Sequence, residues 1–190
     1  MGGRTSGSGT AGDSGPDTGW ITLDDCLAAA PPSLHGWLAE PGLLTARVQR
    51  AGGDLVRFTL LRLAPAPLER GLAVRMGVAD TDALVREIEF ACGDERWIFA
   101  QSVFPDSTLR EHPWLGDLGG VALGVSLLGR HDVSREPLEY RRVEPDHPLA
   151  IAAGGLHAAA WARRAVYHLS GAPIIVQELF LPALAARPGP

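Results

Sequence analysis

The segment Arg163 to Pro182, RRAVYHLSGAPIIVQELFLP, constrains the fold most, because two runs of strand-forming residues flank a short reversal signal. Ser170-Gly171-Ala172-Pro173 supplies that signal: glycine accepts positive φ and proline fixes φ, so the flanking runs are expected to form an antiparallel hairpin. Side chains alternate along a strand, which places Ile174, Val176, Glu178 and Phe180 on one face. That face is apolar except for Glu178. A carboxylate in such surroundings is costly unless a cation, a donor or a ligand hydroxyl lies opposite it.

The same alternation runs through Leu84 to Cys92, which turns at Gly93-Asp94-Glu95 into a second expected strand, Trp97 to Phe104. Leu84, Ile88, Phe90 and Cys92 share one face, Glu87 and Glu89 take the other, and Arg86 falls in the apolar set. Two readings of this cation fit the pattern. Arg86 and Glu178 can neutralise each other as a buried structural pair. Alternatively they face a small molecule, the guanidinium forking onto a carboxylate while the glutamate holds a hydroxyl at the far end.

The remaining punctuation completes an α+β domain. Thr22-Leu23-Asp24-Asp25 can cap a short helix through Leu27 to Ala30 that Pro31-Pro32 ends, and Leu34, Trp37 and Leu38 have helical spacing. Leu43 to Arg50 and Leu55 to Leu63 are expected strands joined at Ala51-Gly52-Gly53-Asp54, Arg110 to Leu118 is expected to be helical, and Leu138 to Val143 is a further strand. Neighbouring strands joined by tight turns predict a single domain, residues 20–185, with a central and mainly antiparallel sheet whose few helices cover one side. With 190 residues, 46% of them hydrophobic, the chain can bury one substantial core. Met1 to Gly19 is polar and without periodicity, so a disordered tail is expected there. It has no apolar core of a secretory signal, and no run reaches membrane-spanning length, which points to a cytosolic protein.

The charge pattern excludes other classes. Net charge is −5 and every basic residue is an arginine, without a basic run, so the chain lacks the means to neutralise a nucleic-acid backbone. Arg141-Arg142 and Arg163-Arg164 are read as solvated strand ends. Cys26 and Cys92 have no metal or redox spacing and are expected as free thiols, and the six histidines form no H-x-x-x-H pair, so no metal is expected. Gly124 to Gly129 misses the nucleophile-elbow spacing by one position, and Gly116 to Gly124 lacks the lysine of a phosphate loop, leaving a turn or flap.

Three segments carry a family resemblance: VREIEFACGDERWIFAQSVFP (Val85 to Pro105), ALGVSLLGRHDVSREPLEY (Ala122 to Tyr140) and WARRAVYHLSGAPIIVQELFLP (Trp161 to Pro182). They resemble chorismate lyases, which convert chorismate to 4-hydroxybenzoate and pyruvate, and the closing L-S-G-x-P...E-L-F-L-P is the most specific part. The resemblance implies a central antiparallel sheet with the ligand enclosed beneath flap-like segments, and no cofactor. It implies that Arg86 holds the ring carboxylate, that Glu178 hydrogen-bonds the 4-hydroxyl, that the Leu123 backbone contacts the ligand, and that Leu44 belongs to the pocket wall. Gln101 stands where the family commonly carries arginine. On that reading Gln101 binds substrate as a weakened contact to the second carboxylate, unless Arg135 or Arg164 replaces it. Two alternatives share the fold: an enzyme acting on another chorismate-derived compound, and the small-ligand effector domains of bacterial transcription regulators. The latter normally follow a DNA-binding domain, which Met1 to Gly19 cannot supply.

Overall fold

A computed structural model describes residues 17–42, 44–127 and 130–187. Three helices come first, α1 (Leu23–Ala29), α2 (Pro32–Leu38) and α3 (Leu44–Gly52), and a 3-10 turn, Gly53–Leu55, leads into β1 (Val56–Pro67). Helix α4 (Arg70–Met76) precedes the hairpin of β2 (Asp82–Cys92) and β3 (Glu95–Pro105). Helix α5 (Asp106–Glu111), a 3-10 segment at Pro113–Asp117 and α6 (Leu123–Leu127) cross to the short strands β4 (Val133–Arg135) and β5 (Glu139–Val143). Helix α7 (Pro148–Ala152), the hairpin of β6 (Ala160–Leu169) and β7 (Ala172–Phe180), and α8 (Pro182–Ala185) complete the chain.

All named strand pairs are antiparallel, in the order β1-β2-β3-β7-β6-β4, with β5 also pairing with β6. The two long hairpins meet in the middle of the sheet, where β3 pairs with β7 from Ile98↔Phe180 to Val103↔Ile175. The closing hairpin turns on Ser170 and Gly171, at φ of 50° and 96°. Two consecutive positive-φ residues match the right-handed twist of the strands they join, which explains glycine at the second position. Thr22 accepts the Asp25 backbone N–H as an N-cap of α1, as its sequence indicated.

Two expectations fail. Residues Leu44–Gly52 form a helix rather than a strand, with Leu44 and Val48 buried and the residues between them at least partly exposed. A four-residue repeat carried by Ala, Arg and Gln is helical in both period and propensity. The expected turn at 51–54 is therefore the end of that helix, with Gly53 at φ 56°, and Leu43 lies outside the described residues. Helices also cover both faces of the sheet, not one. Strands β3 and β7 are apolar on either side: α1, α2, α3 and α8 pack with Ile98 and Phe180, whereas α4 packs with Val103 and Ile175, and α7 with Phe99 and Leu179. Burying both faces of the central strands requires cover on both.

Met1–Pro16 of the expected tail lies outside the described residues, but Asp17 is placed on the domain and its carboxylate pairs with Arg164. Cys26 and Cys92 are buried free thiols. No helix among the described residues is long and apolar enough to cross a membrane.

Candidate active site

Register alone brings the two candidate charges to one face. Arg86 lies opposite Ser102, which lies opposite Val176; one step along the same face, Ala100 lies opposite Glu178, which lies opposite Arg163. Arg86 and Glu178 are therefore two strands and two residues apart, about 12 Å between their Cα atoms from standard sheet spacings. A cavity of about 60 Å³ lies between them, walled by Leu44 at the start of α3, by Leu123 at the start of α6, and by Arg163 and Tyr167.

Arg86 is fully buried. Its Nε donates to the Gly119 carbonyl at 3.1 Å and its Nη2 to the Val121 carbonyl at 2.6 Å, so it clamps the turn before α6. Nη1 is buried and has no hydrogen-bond partner. No carboxylate among the described residues lies within ion-pair distance of this guanidinium, and burial alone lowers its pKa. An uncompensated cation facing a cavity has one evident complement, an anion in that cavity. The structural-pair reading of Arg86 with Glu178 is thereby overturned.

Glu178 has a different partner. Its Oε2 accepts from Arg163 Nε at 2.5 Å, and the two residues are directly opposed on β7 and β6. The Arg163 Nη1 donates to the Glu40 carbonyl at 2.7 Å and lies 3.4 Å from that of Trp37. One guanidinium thus orients the carboxylate and ties it to the segment after α2. Oε1 of Glu178 makes no hydrogen bond to a described residue and remains available to a ligand hydroxyl. Reading Arg163-Arg164 as solvated strand ends is wrong: each is 2% exposed. Successive side chains point to opposite faces, so Arg163 reaches Glu178 while Arg164 pairs with Asp17 and Glu139 on the other side and lies 4.1 Å over the Trp20 ring. A buried cation facing each way was legible only if both faces of β6 were known to be covered.

Gln101 does not join this site. It faces the opposite side of the sheet, where its Nε2 donates to Glu87 at 3.1 Å and its Oε1 accepts from Gln177 at 3.1 Å. There it lines a separate cavity of about 190 Å³ with Glu87, Gln177, Arg62 and Leu72. Placing it beside the substrate ignored parity: Ala100 and Ser102, its chain neighbours, are the residues that face Arg86 and Glu178. Arg164 is equally removed from the cavity. Leu44 and Leu123 do line it, both buried, though Leu44 does so from a helix.

Tyr167 was not foreseen. It sits on the cavity face of β6, and burial together with the nearby Glu178 raises the pKa of its phenol, so the hydroxyl remains a neutral donor well above neutral pH. Among the described residues no group of three or more His, Cys, Asp or Glu side chains is placed to hold a metal ion.

With this geometry in place, comparison with known proteins is decisive on family. The family model described as "Chorismate lyase" matches residues 17–188. The chain belongs to the chorismate lyase family. Among relatives in this family, a protein of Thiobacillus denitrificans named "Probable chorismate pyruvate-lyase" is 40% identical over 165 residues, covering 82% of this chain and 86% of the relative. A protein of the same name from Dechloromonas aromatica is 35% identical over 161 residues, covering 83% and 91% respectively. Among solved structures, the effector domain of PhnF from Mycobacterium smegmatis superposes with a TM-score of 0.50 at 14% identity, over 75% of this chain and 90% of that one. That likeness extends the fold, and the fold alone, beyond the chorismate lyases.

Proposed function

We propose that this chain is a chorismate pyruvate-lyase that releases 4-hydroxybenzoate. The observation that carries the reading is Arg86, a fully buried guanidinium with Nη1 unpartnered and no counter-ion among the described residues, facing a cavity whose far end is Glu178. A ring with a carboxylate at one end and a hydroxyl para to it complements that pair of groups. The names of the 40% and 35% identical relatives point to the same reaction class.

In this reading Arg86 forks onto the ring carboxylate and Glu178, held by Arg163, accepts the 4-hydroxyl. The C4 hydrogen leaves as a proton, and its bonding pair closes the C3–C4 double bond. The C3–O bond breaks with its electrons on the departing enolpyruvate. Protonation of that enolate at its methylene carbon yields pyruvate, so atoms and charge balance and the ring becomes aromatic. Fixing the ring at both ends supplies orientation, which can lower such a barrier by about 7–11 kcal/mol. The test is to mix purified protein with chorismate and follow pyruvate and 4-hydroxybenzoate, which should form in equal amounts. Saturable binding of 4-hydroxybenzoate without turnover would replace the enzyme with a ligand-binding module; neither binding nor turnover would indicate a different substrate.

A further inference from the structure

The buried cavity does not end at Tyr167. A second and more open chamber of about 240 Å³ adjoins it, and Gly42, Gly124, Leu127 and Tyr167 line both. The outer chamber adds Arg135, Pro41 and Val133. Arg135 lies directly opposite Tyr167 on β4 and β6, so the two side chains share the face that carries Glu178. Arg135 lies close enough to the Tyr167 phenol for its charge to act on it, and its Nη1 donates to the Pro41 carbonyl at 3.3 Å. No carboxylate among the described residues forms an ion pair with it. The outer chamber thus has a cation and a phenol and no anion of its own.

We propose that this outer chamber is the subsite for the enolpyruvyl arm, with Arg135 binding the second carboxylate and specifying a dianionic substrate. The proposal rests on the chorismate reading of the inner site and extends it. In chorismate the ether carbon adjoins the hydroxyl-bearing carbon, so a ring held between Arg86 and Glu178 projects its side chain from the Glu178 end. The inner cavity that holds Glu178 opens into the outer chamber past Tyr167, whose phenol lies within the electrostatic reach of Glu178, and Arg135 lines that outer chamber. Arg163 is already engaged by Glu178 and the Glu40 carbonyl, and Gln101 and Arg164 are on the other face, so that of the described arginines lining the two chambers Arg135 is the one left for the arm once Arg86 takes the ring carboxylate. Tyr167, shared by the two chambers, can donate to the ether oxygen or to the same carboxylate. The product lacks the arm, so its affinity owes nothing to this subsite.

The experiment compares wild type, Arg135→Gln and Tyr167→Phe with two probes, 4-hydroxybenzoate and 3-(carboxymethoxy)-4-hydroxybenzoate, by calorimetric titration, alongside chorismate kinetics. A lost charge-assisted hydrogen bond corresponds to about a ten- to hundredfold loss of affinity. Arg135→Gln is expected to weaken the dicarboxylate and raise the chorismate KM by that factor while leaving 4-hydroxybenzoate affinity within about twofold; Tyr167→Phe should act in the same direction more weakly. Equal weakening of both probes would reduce Arg135 to a structural tie for Pro41 and overturn the proposal, as would no change in either. If wild type never releases pyruvate yet Arg135→Gln still removes the preference for the dicarboxylate, the lyase reading fails and the subsite stands. Normal turnover with an unaltered KM in Arg135→Gln has the opposite meaning.

Discussion

Replacing Arg86 with methionine separates a ligand-binding cation from a structural one. Arg86 is wholly buried, donates to two carbonyls and leaves Nη1 unsatisfied. Two competing terms decide the outcome. Losing charged hydrogen bonds to Gly119 and Val121 costs about 1.5–3 kcal/mol each. Removing an unpaired guanidinium from a low-dielectric site releases a desolvation penalty of several kcal/mol, and exchange of buried ionic groups for apolar residues of similar volume often stabilises by about 1–4 kcal/mol. Since no carboxylate is left stranded, the second term should at least match the first. Arg86→Met is therefore expected to melt no lower than wild type, and a gain within that range would raise Tm by roughly 2–4 °C per kcal/mol for a chain of this size. Adding 4-hydroxybenzoate at a hundred times its Kd should stabilise wild type by about 2.7 kcal/mol and leave the variant unmoved. Calorimetric scans with and without ligand, beside a pyruvate-release assay, make the comparison. Loss of more than about 3 kcal/mol by ligand-free Arg86→Met, the signature of a broken buried pair, would refute the reasoning.

The other charge should behave in the opposite sense: Arg163→Met strands Glu178 and unties Trp37 and Glu40, so urea unfolding should show a loss of about 3–5 kcal/mol. Glu178→Gln keeps the shape and an oxygen for Arg163 but removes its counter-charge, so it should melt below wild type by less than Arg163→Met does, while pyruvate release from the folded variant drops at least tenfold. Gln101→Arg places its guanidinium beside Glu87 on the far face, so steady-state kinetics should show an unchanged chorismate KM; a clear fall in KM would mean that the far face communicates with substrate. Burial pushes the Cys26 thiol from 9.0 up to about 11. Between those pH values the unfolded thiol ionises and the folded one does not, so the unfolded state binds fewer protons and stability declines as pH rises. That difference corresponds to a stability loss of at most a few kcal/mol, and Cys26→Ala should flatten the pH dependence of unfolding between about pH 9 and 11.

The sheet was legible wherever strands meet through tight turns. Asp82–Cys92 with Glu95–Pro105, and Ala160–Leu169 with Ala172–Phe180, follow from alternation and from Gly93 and Ser170-Gly171, because hairpin contacts are local. The helix at Leu44–Gly52 was missed because Gly52-Gly53 resembles a hairpin turn and because Leu43-Leu44 with Val48 suits either period when only three apolar residues are available. Cover on both faces follows from a property of neighbouring strands: Val103 and Phe104 are consecutive and both buried, yet they pack against different helices. A single strand's sequence does not say what lies above and below it.

For the site, the residue types were legible and the pairings were not. Alternation put Arg86 and Glu178 in apolar sets, and both line the cavity. Which cation neutralises Glu178 depended on strand order, a long-range quantity: β7 lies between β3 and β6, so Glu178 adjoins Ala100 on one side and Arg163 on the other, while Arg86 is two strands away. The same parity that recommended Arg86 and Glu178 also excludes Gln101. Glu87 is opposite Gln101, which is opposite Gln177, and all three belong to the odd-numbered face across β2, β3 and β7. A motif read as a string assigns neighbouring letters to one site; a strand separates them by the thickness of the sheet. The functional consequence is that the charge missing at Gln101 leaves the Arg86–Glu178 cavity intact. On the proposed reading, a second carboxylate is met from the face that carries Glu178, and Arg135 is on that face through its pairing with Tyr167.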